Sequence, residues 1–177
     1  GRSNGLTLLD WILERYPENK QIVDVYTPQG EKKTLQPTTY TLQPKFGIVH
    51  RLDRETSGVL VIAKTQEAFL CLKEQFQKRK LEKTYHAFLY GRMPEHKGVI
   101  DRPIGKSRKD FRLWSAQRGS RGERREAVTE YSVVQETTEA SYVEVRPRTG
   151  RTHQIRVHLK AVHHPVVCDR LYAPKQP

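Results

Sequence analysis

Cysteine is scarce in this chain: Cys71 and Cys168 are the only two in 177 residues, and they lie far apart and form no CxxC pair. That excludes a disulfide framework and a sulfur-rich zinc site, and it fits a reduced, cytoplasmic setting. Long apolar runs are missing too. Nothing approaches the roughly 18 residues a spanning helix needs, and no basic amphipathic helix stands out, so membrane attachment is not expected. The opening Gly1-Arg2-Ser3-Asn4-Gly5 has no signal-peptide core behind it and reads as the cut end of a longer chain. Acidic residues are outnumbered, 20 against 32 Lys and Arg, giving a net charge of +12 and a pI near 9.9. An anionic partner follows, and the balance is one found among nucleic-acid binders. Common catalytic signatures are absent as well: no phosphate loop, no G-x-S-x-G elbow, no HExxH and no zinc-deaminase pattern.

What the chain does contain is one domain's worth of alternating elements. Leu6, Leu9, Ile12 and Leu13 share a helical spacing that Pro17 ends. Residues 17 to 45, with Pro28, Gly30, Pro37 and Pro44, read as mostly loop with one short strand at Ile22 to Tyr26. Thr65 is a candidate N-cap for a helix over about residues 66 to 80, with Phe69, Leu72 and Phe76 on its core face. Thr84 to Tyr90 reads as a strand closed by Gly91 and Pro94, and Ala127 to Val134 with Ser141 to Arg146 as a strand pair turning at Glu136 to Ala140. Thr152 to His163 has a helical period. Lys106 to Arg125 is aperiodic, basic and interrupted by Gly119 and Gly122, so it reads as a mobile basic loop. The order of elements predicts an α+β fold: a mixed, largely antiparallel sheet flanked by helices.

Two polar clusters stand out. The first is His50-Arg51-Leu52-Asp53-Arg54-Glu55-Thr56-Ser57-Gly58, between the β-branched runs Gly47-Ile48-Val49 and Val59 to Ala63. Both runs read as strands, which places Asp53 on a loop held by a rigid frame. Taken alone, Asp53 fits two roles: a catalytic carboxylate, or a turn cap paired with Arg51 or Arg54. The second cluster, Arg146 to His158, passes from a strand through a Gly-containing turn into a helix. Arginines beside a helix N-terminus suit a phosphate or a carboxylate, and Arg151 is a natural partner for Asp53. The same residues also fit a solvated basic face. A metal site is disfavoured: His153, His158 and His163 are spaced by five, and at about 100° per residue each pair falls on different helix faces.

His50-Arg51-Leu52-Asp53 with Thr56-Ser57-Gly58, Lys83-Thr84-Tyr85, Gly150-Arg151-Thr152-His153-Gln154-Ile155-Arg156-Val157-His158 and Asp169-Arg170-Leu171-Tyr172 occur in that order. Together they resemble the RluA-type pseudouridine synthases, over most of the chain from about Gly47 to Tyr172. The resemblance implies isomerisation of uridine in structured RNA, ribosomal or transfer, by an enzyme that needs no cofactor and no metal. It implies that Asp53 is the essential aspartate, which attacks C1′ or removes a 2′ proton. It implies that Tyr85 stacks on the base and assists loss of the C5 proton, and that Arg151 pairs with the aspartate and orients it. Arg51 resembles the residue that enters the space left by the flipped nucleotide, and Ile155 an apolar wall position. His50, Thr152 and His153 fall inside the matched motifs and are expected to line the substrate site. With no small RNA-binding domain ahead of it, the chain is expected to hold RNA through Arg118, Arg121, Arg124 and Arg125.

Relatives of this type usually open with a further strand and an Asn-Lys-Pro motif, and continue past Asp-x-x-Tyr with more strands. Residues 1–177 therefore read as one catalytic domain lacking those pieces. A monomer is expected. Two alternatives to the synthase reading are a catalytically inactive RNA-binding protein of the same fold, and a metal-dependent hydrolase built on His153, His158 and His163.

Overall fold

The computed structural model describes residues 5–26, 41–117 and 120–174. The chain divides into two compact units, residues 1–80 and 81–177.

In the first unit, helix α1 (Leu8–Arg15) starts at a capping box: the Thr7 hydroxyl accepts from Asp10 N–H and the Asp10 carboxylate accepts from Thr7 N–H. Pro17 ends it, as the sequence predicts, by opening a 3-10 turn over Pro17–Gln21. Strand β1 (Val23–Tyr26) follows and pairs antiparallel with β2 (Thr41–Pro44), a strand that the loop reading of residues 17 to 45 does not anticipate. Residues 27–40, including Pro28, Gly30 and Pro37, lie outside the described residues. Helix α2 (Gln66–Gln77) is capped by Thr65, whose hydroxyl accepts from Ala68 N–H, so this element starts where the sequence places it. Its Phe69 packs with Ile22 and Ala63 in the core of this unit.

The frame expected around Asp53 takes a different form. Gly47 to Val49 and Val59 to Ala63 do not form strands; they meet at one antiparallel bridge, Ile48 with Ile62, and one bond from Ala63 N–H to Gly47 O at 2.9 Å. The physical reason is that Val59 is 85% exposed and Val61 43% exposed, so these β-branched residues have no sheet face to bury.

The second unit is built on a four-stranded antiparallel sheet in the order β3-β9-β8-β4. Its strands are β3 (Tyr85–Tyr90), β4 (Lys97–Asp101), β8 (Val128–Glu136) and β9 (Ala140–Pro147). Strand β4 is not evident from sequence, because Lys97 and Gly98 are poor strand formers. Gly98 leaves room there for the Tyr131 ring of the neighbouring strand, whose hydroxyl would lie 2.6 Å from an added Cβ. The stretch read as a mobile basic loop supplies strands to a second sheet, ordered β6-β5-β7, of β5 (Ile104–Lys106), β6 (Trp114–Ser115) and β7 (Arg121–Arg125), while residues 107–113 between β5 and β6 remain outside strands. Its pairing shifts register between Ile104 and Lys106, opposite Gly122 at φ 72°. Helix α3 (Gln154–Ala161) lends Leu159 to a core with Leu89, Ile100, Val143 and Val145, and Val157 and Ala161 to another with Ile104, Ala127 and Tyr172. It therefore packs against both sheets. All pairings among the described strands are antiparallel, in keeping with the expected α+β class.

Candidate active site and nucleic-acid interface

Asp53 sits half-buried on an irregular segment of the first unit, where its carbonyl closes a turn by accepting from Thr56 N–H at 3.0 Å. The segment is held at its two ends by side-chain and backbone bonds in place of a ladder. His50 Nε2 accepts from Val61 N–H at 2.9 Å, and its ring stacks on Phe76 of α2 at 4.9 Å. The imidazole thereby does for Val61 what a strand partner would otherwise do. Arg51 is exposed, and the Arg54–Glu55 pair is long at 3.9 Å and solvent-facing, so it contributes little. Gly58 has φ 152°, a value open to glycine and poorly tolerated by other residues.

The remaining residues singled out from sequence lie in the second unit. Tyr85 opens β3, half-buried, and it and Ile155 of α3 each pack against the same core cluster. Arg151 is held at two atoms: its N–H donates to Gln154 Oε1 at 3.0 Å and its Nε–H to Glu126 O at 2.9 Å. Thr152 is exposed beside it. His153 adopts a left-handed backbone at φ 56° as the N-cap of α3, and its Nδ1 lies 2.8 Å from the Tyr172 hydroxyl, which also accepts from Trp114 N–H at 3.0 Å. The helix thus begins at Gln154, two residues after the start read from sequence. No side-chain hydrogen bond from His153 caps it.

The Asp169-Arg170-Leu171-Tyr172 motif explains itself as a brace. Asp169 accepts from Arg156 through both oxygens, at 2.7 and 2.8 Å, and from Leu171 and Tyr172 N–H at 3.0 Å each. Burial works against its charge, but the Arg156 side chain and the two backbone donors outweigh it and hold the carboxyl below its ordinary value.

His158 is not placed as a metal ligand. It is fully buried on α3, with Nδ1 at 2.9 Å from Thr129 Oγ1 and Nε2 at 2.9 Å from Arg102 O, so both nitrogens are engaged. Among the described residues no cluster of three His, Cys, Asp or Glu side chains is placed to hold a metal ion. Burial, reinforced by the Arg102 charge, holds His158 below its ordinary value of 6.5, against the opposing hydrogen bond to Arg102 O. Since the unfolded chain then binds a proton near pH 6.5 that the folded chain refuses, stability falls as pH drops below 6.5. Urea midpoints of the second unit measured from pH 8 to pH 5 are expected to decline over that lower range. A flat profile would show that His158 takes up its proton in the fold as readily as in the open chain.

Part of the basic surface is strand. Arg121, Arg124 and Arg125 are exposed on β7, where Arg124 reaches Pro103 O at 3.1 Å and Arg125 faces Glu123 at 3.7 Å; Arg118 lies outside the described residues. Between β5 and β6 the chain carries Arg108, Lys109 and Arg112, with Phe111 87% exposed at the turn. Asp110 pairs with Arg112, which pulls its carboxyl down to about 2. Sequence reading missed Thr149, Gln154 and Tyr172 as organisers of the second unit. A signal existed for Gln154: it shares a helix face with Val157, His158 and Ala161, and a polar group at a core position needs partners.

The chain matches the model of the RNA pseudouridylate synthase family over residues 20–161. A Chloroflexus aurantiacus protein named an uncharacterised RNA pseudouridine synthase is 45% identical over 171 residues, covering 96% of this chain and 46% of that protein. The dual-specificity RNA pseudouridine synthase RluA of Vibrio cholerae is 38% identical over 133 residues, covering 75% of this chain and 53% of its own. Among solved structures, human RNA pseudouridylate synthase domain containing 1 aligns with a TM-score of 0.67 at 34% identity, over 71% of this chain and 54% of that one. The chain spans about half the length of these relatives. Spaced motifs, antiparallel α+β architecture and a family match over residues 20–161 agree, and the chain belongs to the RNA pseudouridylate synthases of RluA type.

Proposed function

We propose that the chain isomerises uridine to pseudouridine in structured RNA, ribosomal or transfer, with Asp53 as the essential carboxylate and Tyr85 and Arg151 in the roles the resemblance implies. The single observation that carries this reading is the Asp53 segment itself, a half-buried carboxylate on a turn fixed at its base by His50, Phe76 and the Gly47–Ala63 bond. Such a group is held in place without being sealed in a strand, which is what a reacting carboxylate requires.

Uridine in a folded RNA hides C1′ and C5 by stacking, so the nucleotide must be extruded at a cost of about a few kcal/mol. Exposed Arg51 suits the vacated space. The N-glycosidic bond then breaks, uracil turns, and a bond forms from C1′ to C5, from which the hydrogen leaves as a proton. Tyr85 and Ile155, both packed against one apolar cluster, suit a flat base that must turn without meeting water. His50 braces the Asp53 segment, and Thr152 and His153 stand at the entrance of α3. Both ribosomal and transfer RNA deserve testing because the resemblance implies either.

The test is tritium release from RNA labelled at uridine C5, since the isomerisation preserves mass but must expel that hydrogen. Release supports the reading. Binding without release on either RNA class would leave an RNA-binding protein of the same fold. Neutralising Arg118, Arg121, Arg124 and Arg125 together is expected to lower the log-log salt slope of RNA binding by up to about 3, at roughly 0.7 to 0.9 per phosphate contact. An unchanged slope would place the RNA elsewhere.

A further inference from the structure

We propose that Gln154 is a positioning residue of this site: its buried side-chain amide locks the turn at residues 149–151 and so sets where the Arg151 guanidinium points. The inference rests on the part given to Arg151 above.

Gln154 is 5% exposed and uses its whole hydrogen-bonding capacity. Its Nε2 donates to Val128 O at 2.9 Å and to Thr129 Oγ1 at 3.0 Å, and its Oε1 accepts from the Thr149 hydroxyl at 2.7 Å and from Arg151 N–H at 3.0 Å. The amide can sit only one way round, because Val128 O can only accept and Arg151 N–H can only donate.

The fold needs such a device at this point. The β8–β9 ladder ends at Thr129 opposite Pro147, where the chain leaves the sheet to reach α3. Val128 would lose its partners there. Arg148 N–H and Gln154 Nε2 both reach Val128 O, and Thr149 Oγ1 accepts from Val128 N–H at 3.1 Å, so turn and helix side chains continue the ladder. Gly150 is not what shapes the turn: it has no positive φ, and a Cβ on it would meet only Lys83 Nζ at 3.6 Å. Arg151 is then pinned at its backbone by Gln154 and at Nε by Glu126 O. One fixed point on the backbone and one at Nε define the direction of the guanidinium.

The arrangement extends inward. His158 Nε2 faces a carbonyl and must carry the hydrogen, so in the neutral ring Nδ1 accepts from the Thr129 hydroxyl, which in turn accepts from Gln154. Donors run in one direction from Gln154 to Thr129, His158 and Arg102 O. A turn tied to so deep a network does not drift when RNA arrives.

A merely structural glutamine would cost stability and nothing else, so the test separates the two. Gln154→Met keeps length and apolar bulk but makes none of the four bonds. In the full chain, at a temperature where circular dichroism shows it folded, its single-turnover tritium release per folded molecule should fall about 100-fold, the penalty for misplacing a reacting group by about 1 Å. RNA Kd should stay within about twofold, because the basic sheet is untouched. Amide hydrogen exchange of Arg151 should lose protection while that of Val157, bonded to His153 O, keeps it. Unchanged turnover, turnover and RNA affinity falling together, or retained Arg151 protection would each overturn the proposal. If the parent releases no tritium, it is the synthase reading that fails, and the exchange measurement alone decides for or against Gln154 as the lock of the turn. Should Gln154→Met not fold, Thr149→Ser is expected to keep the parent rate and Thr149→Val to lose it; equal rates would overturn the assignment.

Discussion

Asp53→Asn is expected to abolish tritium release, with a loss on the order of four decades or more, while RNA affinity changes little. Either route, attack on C1′ or removal of a 2′ proton, needs an oxygen lone pair on an anionic carboxylate. A neutral amide is neither nucleophile nor base, yet it has almost the same size and shape. The local fold should survive, because the bond that closes the turn, Thr56 N–H to Asp53 O, is made by the backbone and not by the carboxylate. Affinity should also survive, since removing one negative charge next to a polyanion does not weaken its binding. The measurements are single-turnover release and filter-binding Kd on the same preparation. Retained turnover would remove Asp53 from the chemistry, and parallel loss of turnover and affinity would reduce it to a binding residue.

Elements with one face against a core were legible in the sequence. Helix α2 with its Thr65 cap, strand β3, the β8–β9 pair and helix α3 all follow from spacing and propensity, because burial on one side imposes a period. Elements with no buried face were not. Every residue of β7 is exposed, so the basic sheet left no period and read as loop. Val59 and Val61 read as strand because β-branching mimics burial, yet they stand in solvent and the backbone is held by the His50 imidazole. Asp53, Tyr85 and Arg151 stand out as candidates because the motifs that hold them are contiguous runs. Gln154 could be suspected but not understood: its partners Val128 and Thr129 are more than twenty residues away, and only the end of the β8–β9 ladder makes its role intelligible.

The largest effect on folding is expected from Gly47→Ala, which should destabilise the first unit by on the order of 4 kcal/mol, a size reserved for changes the structure cannot absorb. Ile48 N–H bonds to Lys45 O at 2.9 Å across Phe46 and Gly47, at φ 55° and 80°, and two positive values in the centre of such a turn define a type I′ geometry. Left-handed backbone alone costs alanine about 1 kcal/mol. The greater part comes from space. An added Cβ would stand 2.1 Å from Ala63 O and 2.8 Å from Asn19 Nδ2. Neither neighbour is a movable chain end. Ala63 O accepts from Asn19 Nδ2 at 3.0 Å, that same nitrogen donates to Phe46 O at 3.0 Å, and Asn19 is fully buried. To admit one methyl group, the backbone at Ala63 must retreat and give up its bonds to Asn19 and to Gly47 O, leaving buried groups unpaired at about 1 to 3 kcal/mol each. For a unit of this size the loss corresponds to a melting shift of roughly 20 °C, at about 4 to 8 °C per kcal/mol. Differential scanning calorimetry should show the transition that unfolds the first unit lowered by that amount. A shift of only a few degrees would mean that the base of the Asp53 segment yields, and that its rigidity does not come from the Gly47–Ala63 contact.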